Sequence, residues 1–460
     1  MRNPEFDYDV VGVGLGPFNL SLAALLEEHR LSHQNDDSPR ALFLEARNRF
    51  DWHPGMILPG TTLQVPFLAD LVTMVKPTSR FSFLNYLHEH GRLYNFYFYE
   101  NFKILRREYN QYCQWVSEQL SSIEFSARVI DVCALGPEAD DGYRVVFGGN
   151  VGDHPRSVTA RNIVLGYGSR PALPEFIDGL GGASVFHTAE FARRRSEIAH
   201  ARRVIVVGSG QSAGECVLEI LRSQPDVELH WYTRGQGFLP MEYSKLGLEH
   251  FSPDYIDYFH GLPEESRDRI RAGQDLFYKG MSADTIAAIY DELYERQLDS
   301  AKPQPVLMAG VEVCDIRETI DDGPRSFALR LELRHREQGV VFADAADAVV
   351  LGTGYEYCLP DFLGNLMPAL ATDERGRLII GRDYRVLRES HGAEPCSRIF
   401  VQNGEIHTHG IGAPDLGLGA YRAATIANAL IGSEAYLIRE RNVFQRFGFA
   451  RNTAAVPVGR

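Results

Sequence analysis

Gly12-Val13-Gly14-Leu15-Gly16-Pro17-Phe18-Asn19 follows the β-branched run Asp9-Val10-Val11 and leads into an apolar, helix-like stretch. The run reads as a buried parallel strand, and the glycines let the backbone approach a pyrophosphate at a helix N-terminus. Pro17 stands where the usual fingerprint has its third glycine, and proline suits the first turn of a helix. Alone, such a turn is equally an ordinary strand-to-helix connection. A second one, Gly208-Ser209-Gly210-Gln211-Ser212-Ala213, follows Val204-Ile205-Val206-Val207. Two turns, each between a strand and a helix, predict one chain that holds two dinucleotides, the pattern of a flavin enzyme that takes hydride from a nicotinamide.

The residue closing the next strand separates the two nucleotides. After the first turn, Ala41-Leu42-Phe43-Leu44-Glu45 ends in a carboxylate able to accept a ribose hydroxyl, as FAD or NAD requires. Glu45 falls beyond the usual spacing of about 20 residues, and the polar stretch from Ser32 to Arg40 reads as a loop insertion that absorbs the excess. After the second turn, the strand from Val227 to Thr233 ends in Arg234, with no acid there. An arginine at that point suits the 2′-phosphate of NADPH; its other reading is a solvated loop cation. The expected assignment puts Gly12, Gly14, Gly16, Pro17, Asn19 and Glu45 on FAD, and Gly208, Gly210, Gln211, Ser212 and Arg234 on NADPH.

Composition agrees with this. At 460 residues the chain has room for two or three domains, and 44% hydrophobic with 23% charged residues is ordinary globular usage. No apolar run approaches the roughly 20 residues of a membrane span, and Met1 to Asp9 lacks an apolar signal-peptide core, so a cytoplasmic protein with no membrane partner is expected. Cys113, Cys133, Cys216, Cys314, Cys358 and Cys396 are scattered singly. That spacing offers no metal site and no redox pair of the disulfide-reductase kind. A formal charge of −14 argues against nucleic acid.

The expected fold class is α/β, with two nested Rossmann-like dinucleotide-binding domains and a small helical substrate-binding region. Residues 1–196 form the first part of the FAD domain, and 197–344 the NADPH domain with a helical insert at about 240–300. The strand-turn Ala348-Val349-Val350-Leu351-Gly352-Thr353-Gly354-Tyr355 is read as the return, so that 345–460 complete the FAD domain and the substrate wall.

Several further stretches carry a family resemblance: Trp52-His53-Pro54-Gly55-Met56, Leu63-Gln64-Val65-Pro66-Phe67-Leu68-Ala69-Asp70-Leu71-Val72, Pro77-Thr78-Ser79, Phe83-Leu84-Asn85-Tyr86-Leu87, Gly352-Thr353-Gly354-Tyr355 and Thr408-His409-Gly410. With the two glycine turns, in this order, the chain resembles the flavin-dependent N-hydroxylating monooxygenases of siderophore biosynthesis, which act on ornithine, lysine or diamines. The resemblance implies a tetramer that uses FAD, NADPH and O2 to hydroxylate a primary amine. NADPH reduces the flavin, O2 gives a C4a-hydroperoxyflavin, and an unprotonated amine attacks its distal oxygen. It also implies that Gln64 packs beside the isoalloxazine and that Ser282 aligns with a cofactor-contacting amide. Trp52 and His53 either contact the flavin or pack the loop. Gly354, Tyr355 and His409 fall near the cofactor, although His409 is equally a structural histidine.

Departures from the amino-acid hydroxylases point to the substrate. Where those enzymes have a lysine for the substrate α-carboxylate, this chain has Ala69; a carboxylate-side asparagine aligns with Leu248, and a serine of the substrate wall with Gly417. Burying a carboxylate without its cation costs several kcal/mol, so a diamine, putrescine ahead of cadaverine, is the expected substrate. Asp70, Glu242 and Glu249 are candidates for the distal ammonium. A lysine or ornithine hydroxylase, a Baeyer–Villiger or sulfide-type monooxygenase and a non-catalytic FAD-binding redox sensor remain as alternatives.

Overall fold

The protein is described by a computed structural model covering residues 6–33, 38–136, 141–149, 154–178, 180, 184–319, 326–388 and 398–449. Cys396 and residues 34–37 of the expected loop insertion lie outside the described residues.

The first sheet grows from β1 (Tyr8–Val13), whose Val10 and Val11 are fully buried. Behind it α1 (Pro17–Ser32) starts at Gly16, with proline in its first turn. β2 (Ala41–Leu44) lies parallel to β1, pairing Val10 with Ala41 and Val13 with Leu44. The helices α2 (Phe83–Glu89), α3 (Leu93–Tyr99) and α4 (Arg106–Ser117) follow. Next come β3 (Ile123–Glu124), β4 (Arg128–Ala134), β5 (Tyr143–Gly148) and β6 (Arg156–Leu165). The sheet order is β3-β2-β1-β6-β5-β4, with β6 parallel to β1 and the β4-β5-β6 meander antiparallel.

β7 (Arg170–Pro171) carries the chain into the second domain. There β8 (Ser184–His187), α5 (Phe191–Arg194), β9 (Arg203–Val207), α6 (Gln211–Ser223) and β10 (Glu228–Thr233) precede the helical insert. The insert comprises α7 (Lys245–Leu248), α8 (Pro253–His260), α9 (Glu264–Ala272) and α10 (Ala283–Gln297), and β11 (Val306–Ala309) follows it. A three-stranded antiparallel sheet, β12 (Val311–Glu318), β13 (Leu329–His335) and β14 (Val340–Ala346), leads to β15 (Ala348–Leu351). The second parallel sheet has the order β11-β10-β9-β15-β8. Its helix α10 packs on α6 as the crossover between β10 and β11, while α8 and α9 reach over to the first domain.

The return to the first domain is therefore later than the sequence suggested. β15 pairs with β9 and β8, in the second sheet. The chain crosses back at β16 (Tyr355–Glu356), antiparallel to β7, and rejoins the first sheet at β17 (Ile399–Val401), parallel to β6. β8 likewise moves the domain's start ahead of residue 197. The closing elements are α11 (Ile406–His409), which α8 and α9 contact, and α12 (Gly419–Ile431), which packs along α1. Small residues allow that approach: a Cβ on Gly419 would sit 3.1 Å from the Phe18 ring.

Candidate functional site

Each glycine of the first turn has a separate physical reason. A Cβ on Gly12 would lie 2.2 Å from the Phe43 ring, and Gly14 has φ +81° with the carbonyl oxygen of Gly166 2.6 Å from where its Cβ would be. A Cβ on Gly16 would meet nothing within 4 Å, because it opens onto the free N-terminus of α1. That open helix end, with the macrodipole behind it, fits a pyrophosphate. Glu45, half-buried at the end of β2, accepts the Leu15 N–H (2.7 Å) and the Arg47 N–H (2.9 Å), which fixes its carboxylate beside the turn. Asn19 is a correction. Its Nδ2 donates to the carbonyls of Gly14 (2.7 Å) and Val13 (3.4 Å), and its Oδ1 accepts from Gln402 (2.7 Å), so the amide clamps the turn from within the core. Gln402, on the distant β17 side, is invisible to local sequence reasoning.

The second turn is built alike. Gly208 has φ +115°, and its Cβ would strike the Gly352 carbonyl oxygen at 2.1 Å. Gly210 caps α6, and Ser212 sits half-buried in the first turn of that helix. Gln211 presents only its backbone N–H: its amide donates to Glu215 and Thr285 and accepts the Ser282 N–H at 2.8 Å. Ser282 is a second correction. It is the N-cap of α10, accepting the Thr285 N–H at 3.1 Å and donating to the Thr285 hydroxyl, and it is spent on that helix end. Arg234 is exposed beyond β10 and lines a cavity of about 300 Å³ with Gln236, Gly310, Arg336 and Glu337.

A buried ion pair ties the two halves together. Arg106 of α4 grips Glu215 of α6 through two 2.8 Å hydrogen bonds and also donates to the Met56 carbonyl. Around it lie His53, with left-handed φ 46°, and Tyr355, 5.8 Å from it between ring centroids; His187 stands 5.2 Å from Tyr355. His53 is exposed as a residue, yet desolvation first, then Arg106 and Arg47, lower its pKa to about 4, so it is neutral at pH 7. Among the described residues, the Tyr355 and Thr188 hydroxyls are buried without a hydrogen-bond partner. Two unsatisfied hydroxyls beside the domain crossing fit a ligand that supplies their partners. Trp52 packs against His53 and Tyr109, and its backbone N–H donates to the Asn110 side-chain oxygen at 2.8 Å. His409 is engaged on both ring nitrogens, by Thr408 (2.9 Å) and the Arg382 carbonyl (3.3 Å), and stacks on Tyr384 at 4.4 Å. Its pKa falls well below the usual value through burial, then His260 and Arg382. It serves the C-terminal turn as a structural histidine, with no ring atom to spare for a cofactor.

The loop carrying Gln64 and Ala69 meets the C-terminal segment around Gly417. The Tyr243 hydroxyl donates to the Gln64 carbonyl at 3.1 Å, and buried Ala69 is 4.0 Å from where a Cβ on Gly417 would point. Beside them lies Asp415, whose Oδ1 accepts the Gly417 N–H at 2.7 Å. Burial raises the Asp415 pKa to about 6, against the Gly417 N–H, Arg422 and the Leu418 N–H, which lower it. Tyr243 is pushed up to about 12 by desolvation, then by Asp415 and Asp284. Each expected ammonium acceptor accepts hydrogen bonds from neighbouring groups. Asp70 accepts four hydrogen bonds, from Val72, Thr73 twice and Phe83. Glu249 holds the Phe444 and Gln445 N–H groups, and Glu242 the Ser244 N–H. Leu248 is 40% exposed on the short helix α7 and packs in no core cluster.

Taken together, two glycine turns, each between a parallel strand and a helix N-terminus, give the pattern of a two-dinucleotide flavoenzyme. Residues 7–357 match the model of the L-lysine 6-monooxygenase/L-ornithine 5-monooxygenase family, and the chain belongs to that family. It is 45% identical to a rhizobactin siderophore biosynthesis protein of Rhizobium meliloti, over 98% of this chain and 97% of that one. It is 43% identical to a putrescine N-hydroxylase of Shewanella oneidensis, over 96% and 84%. Among solved structures, the FAD-bound cadaverine monooxygenase of the desferrioxamine pathway of Erwinia amylovora superimposes with a TM-score of 0.87 at 36% identity, covering 96% of this chain and 99% of that one. The chain is thus an FAD- and NADPH-dependent N-monooxygenase of siderophore biosynthesis. Among the described residues, no helix is long and apolar enough to cross a membrane.

Proposed function

We propose that the enzyme N-hydroxylates a short aliphatic diamine, putrescine ahead of cadaverine. The observation that carries this reading is Asp415, a half-buried carboxylate beside Ala69 and Gly417 whose close partners are backbone N–H groups. Arg422, the nearest cation it feels, is committed to Glu405 and the Ala413 carbonyl. Asp415 therefore has charge to offer. With a pKa of about 6 it is mostly ionised at pH 7, and an ammonium beside it favours that form further.

A diamine brings one distal ammonium for Asp415 and one amine that must shed its proton before reaction. When bound, the flavin supplies the activated oxygen; the chain's own work is to hold the neutral amine and exclude water. Gln64 and Tyr243 supply a polar edge, and Tyr243, with its high pKa, remains a protonated donor at pH 7. Trp52 and His53 line the flavin side in this reading. An amino acid would bring a carboxylate against Ala69, where no cation replaces the family's lysine, at a cost of several kcal/mol. The relatives named for putrescine and cadaverine support the same class. One methylene is worth about 1–3 kcal/mol, which is the scale of the putrescine preference. A cytoplasmic homotetramer, as the resemblance implies, belongs to the same proposal.

A lysine or ornithine reading has one observation in its favour. Lys103 stands 5.2 Å over the Tyr243 ring, although it is paired with exposed Asp284 at 3.3 Å. The deciding experiment measures hydroxylated product against putrescine, cadaverine, diaminopropane, ornithine and lysine. Efficient turnover of ornithine or lysine with little on the diamines overturns the proposal.

A further inference from the structure

We propose that Arg336, on the turn between β13 and β14, is a second arginine for the 2′-phosphate of NADPH, delivered to the nucleotide by the three-stranded sheet. The inference rests on the 2′-phosphate lying beyond β10, the reading that assigns Arg234. Arg234 and Arg336 line the same cavity of about 300 Å³, with Gln236, Gly310 and Glu337 completing it. The cavity sits past the carboxyl end of a parallel strand, on the side where a Rossmann domain holds the adenosine ribose.

Three backbone-anchored contacts set Arg336 there. The Gly310 N–H donates to the Gly235 carbonyl (2.8 Å), the Arg336 N–H donates to the Gly310 carbonyl (2.8 Å), and the Arg336 guanidinium donates to the Arg234 carbonyl (3.4 Å). Gly310, at φ +71°, makes the sharp turn between β11 and β12 that brings these strands together. A loop reached from residue 336 is thereby tied to the loop after β10.

Charge points the same way. The chain carries a formal −14. Among the described residues, neither Arg234 nor Arg336 has a carboxylate within ion-pair distance. Two unpaired guanidiniums around one concavity form a fork suited to a phosphate's oxygens. Glu337, on the same wall, opposes that charge and trims the affinity. The three-stranded sheet thus has a task in nucleotide selection, since no element of the parallel sheet itself places a second cation at that spot.

The test uses the full chain with FAD bound and two probes, 2′,5′-ADP and 5′-AMP, titrated by calorimetry. Arg336→Gln keeps a donor for the Arg234 carbonyl and removes the charge. It should weaken 2′,5′-ADP about tenfold while leaving 5′-AMP within about twofold, and anaerobic flavin reduction should lose the same factor with NADPH but not with NADH. Glu337→Gln should tighten 2′,5′-ADP about two- to threefold, an effect that a merely structural role for the turn does not produce. Arg336→Gln binding both probes as the parent does, or losing both equally, overturns the proposal. Arg234→Ala separates the two readings: if it alone discriminates the probes, Arg336 fails and Arg234 stands. If neither variant does, the phosphate lies elsewhere and both fail.

Discussion

Replacing Asp415 by asparagine should move binding and stability in opposite directions. Asparagine keeps an oxygen for the Gly417 N–H, so the turn over Leu416–Leu418 retains its cap. What disappears is a half-buried negative charge. Its pKa, raised from 3.8 to about 6, means that keeping this group ionised at neutral pH costs the folded state up to about 3 kcal/mol, at about 1.4 kcal/mol per unit. The sign follows directly. A carboxyl whose folded-state pKa is raised gives its full stability contribution below 3.8 and loses it as pH rises through 6, so the charge is a burden above pH 6. Asp415→Asn should therefore raise the melting temperature by a few degrees at pH 8 and change it little at pH 4. The same substitution removes the partner of the distal ammonium, an interaction of about 2–5 kcal/mol in a desolvated pocket, or roughly 30- to 4,000-fold in kcat/KM for putrescine. In the parent enzyme, kcat/KM for the diamine should fall about tenfold per pH unit below 6, over and above the protonation of the amine itself. The assays are thermal unfolding at two pH values and steady-state product formation. A variant that loses stability at pH 8, or that hydroxylates putrescine as the parent does, refutes the reasoning.

Other changes test the remaining assignments. Gly14→Val forces a β-branched side chain onto φ +81° and against the Gly166 carbonyl, and should yield protein without bound FAD, read from its visible spectrum. Ala69→Lys should weaken putrescine by setting an ammonium beside a dication, and recover weak ornithine turnover, measured by product formation with both substrates. Glu215→Ala strands the Arg106 guanidinium in the interior and should cost about 3–5 kcal/mol, seen as a large drop in melting temperature. Ser282→Ala removes a helix cap worth about 1 kcal/mol and should leave kcat within about twofold; a loss of orders of magnitude would restore Ser282 to the chemistry.

The parts legible in the sequence are those whose cause is local. Gly12, Gly14 and Gly208 are required by contacts that follow from strand, turn and helix in immediate succession, so their pattern announces itself. Ala348–Leu351 shows the limit of that logic. A strand followed by Gly-x-Gly looks the same whichever sheet it joins, and only pairing with β9 and β8 decides. Polar residues at turns misled for a related reason. Asn19, Gln211 and Ser282 are the residue types that meet ligands, and equally those that cap helices and bind turns. Asp415, Tyr243, Arg336 and Gln402 were missed because each acquires its role from residues far away in the chain.

The antiparallel pair β7 and β16 has a mechanical consequence. Every strand of the second sheet lies between residues 171 and 355, so the chain passes between the domains at two points, and these are register partners: Pro171 faces Tyr355 and Arg170 faces Glu356, the latter pair joined by a 2.8 Å ion pair. Two tethers at one place act as a single pivot, stiff to pulling and compliant to twisting. Any swing of the NADPH domain must turn about this ribbon, and Arg106–Glu215, close to Tyr355, is a second contact that holds the two domains beside it.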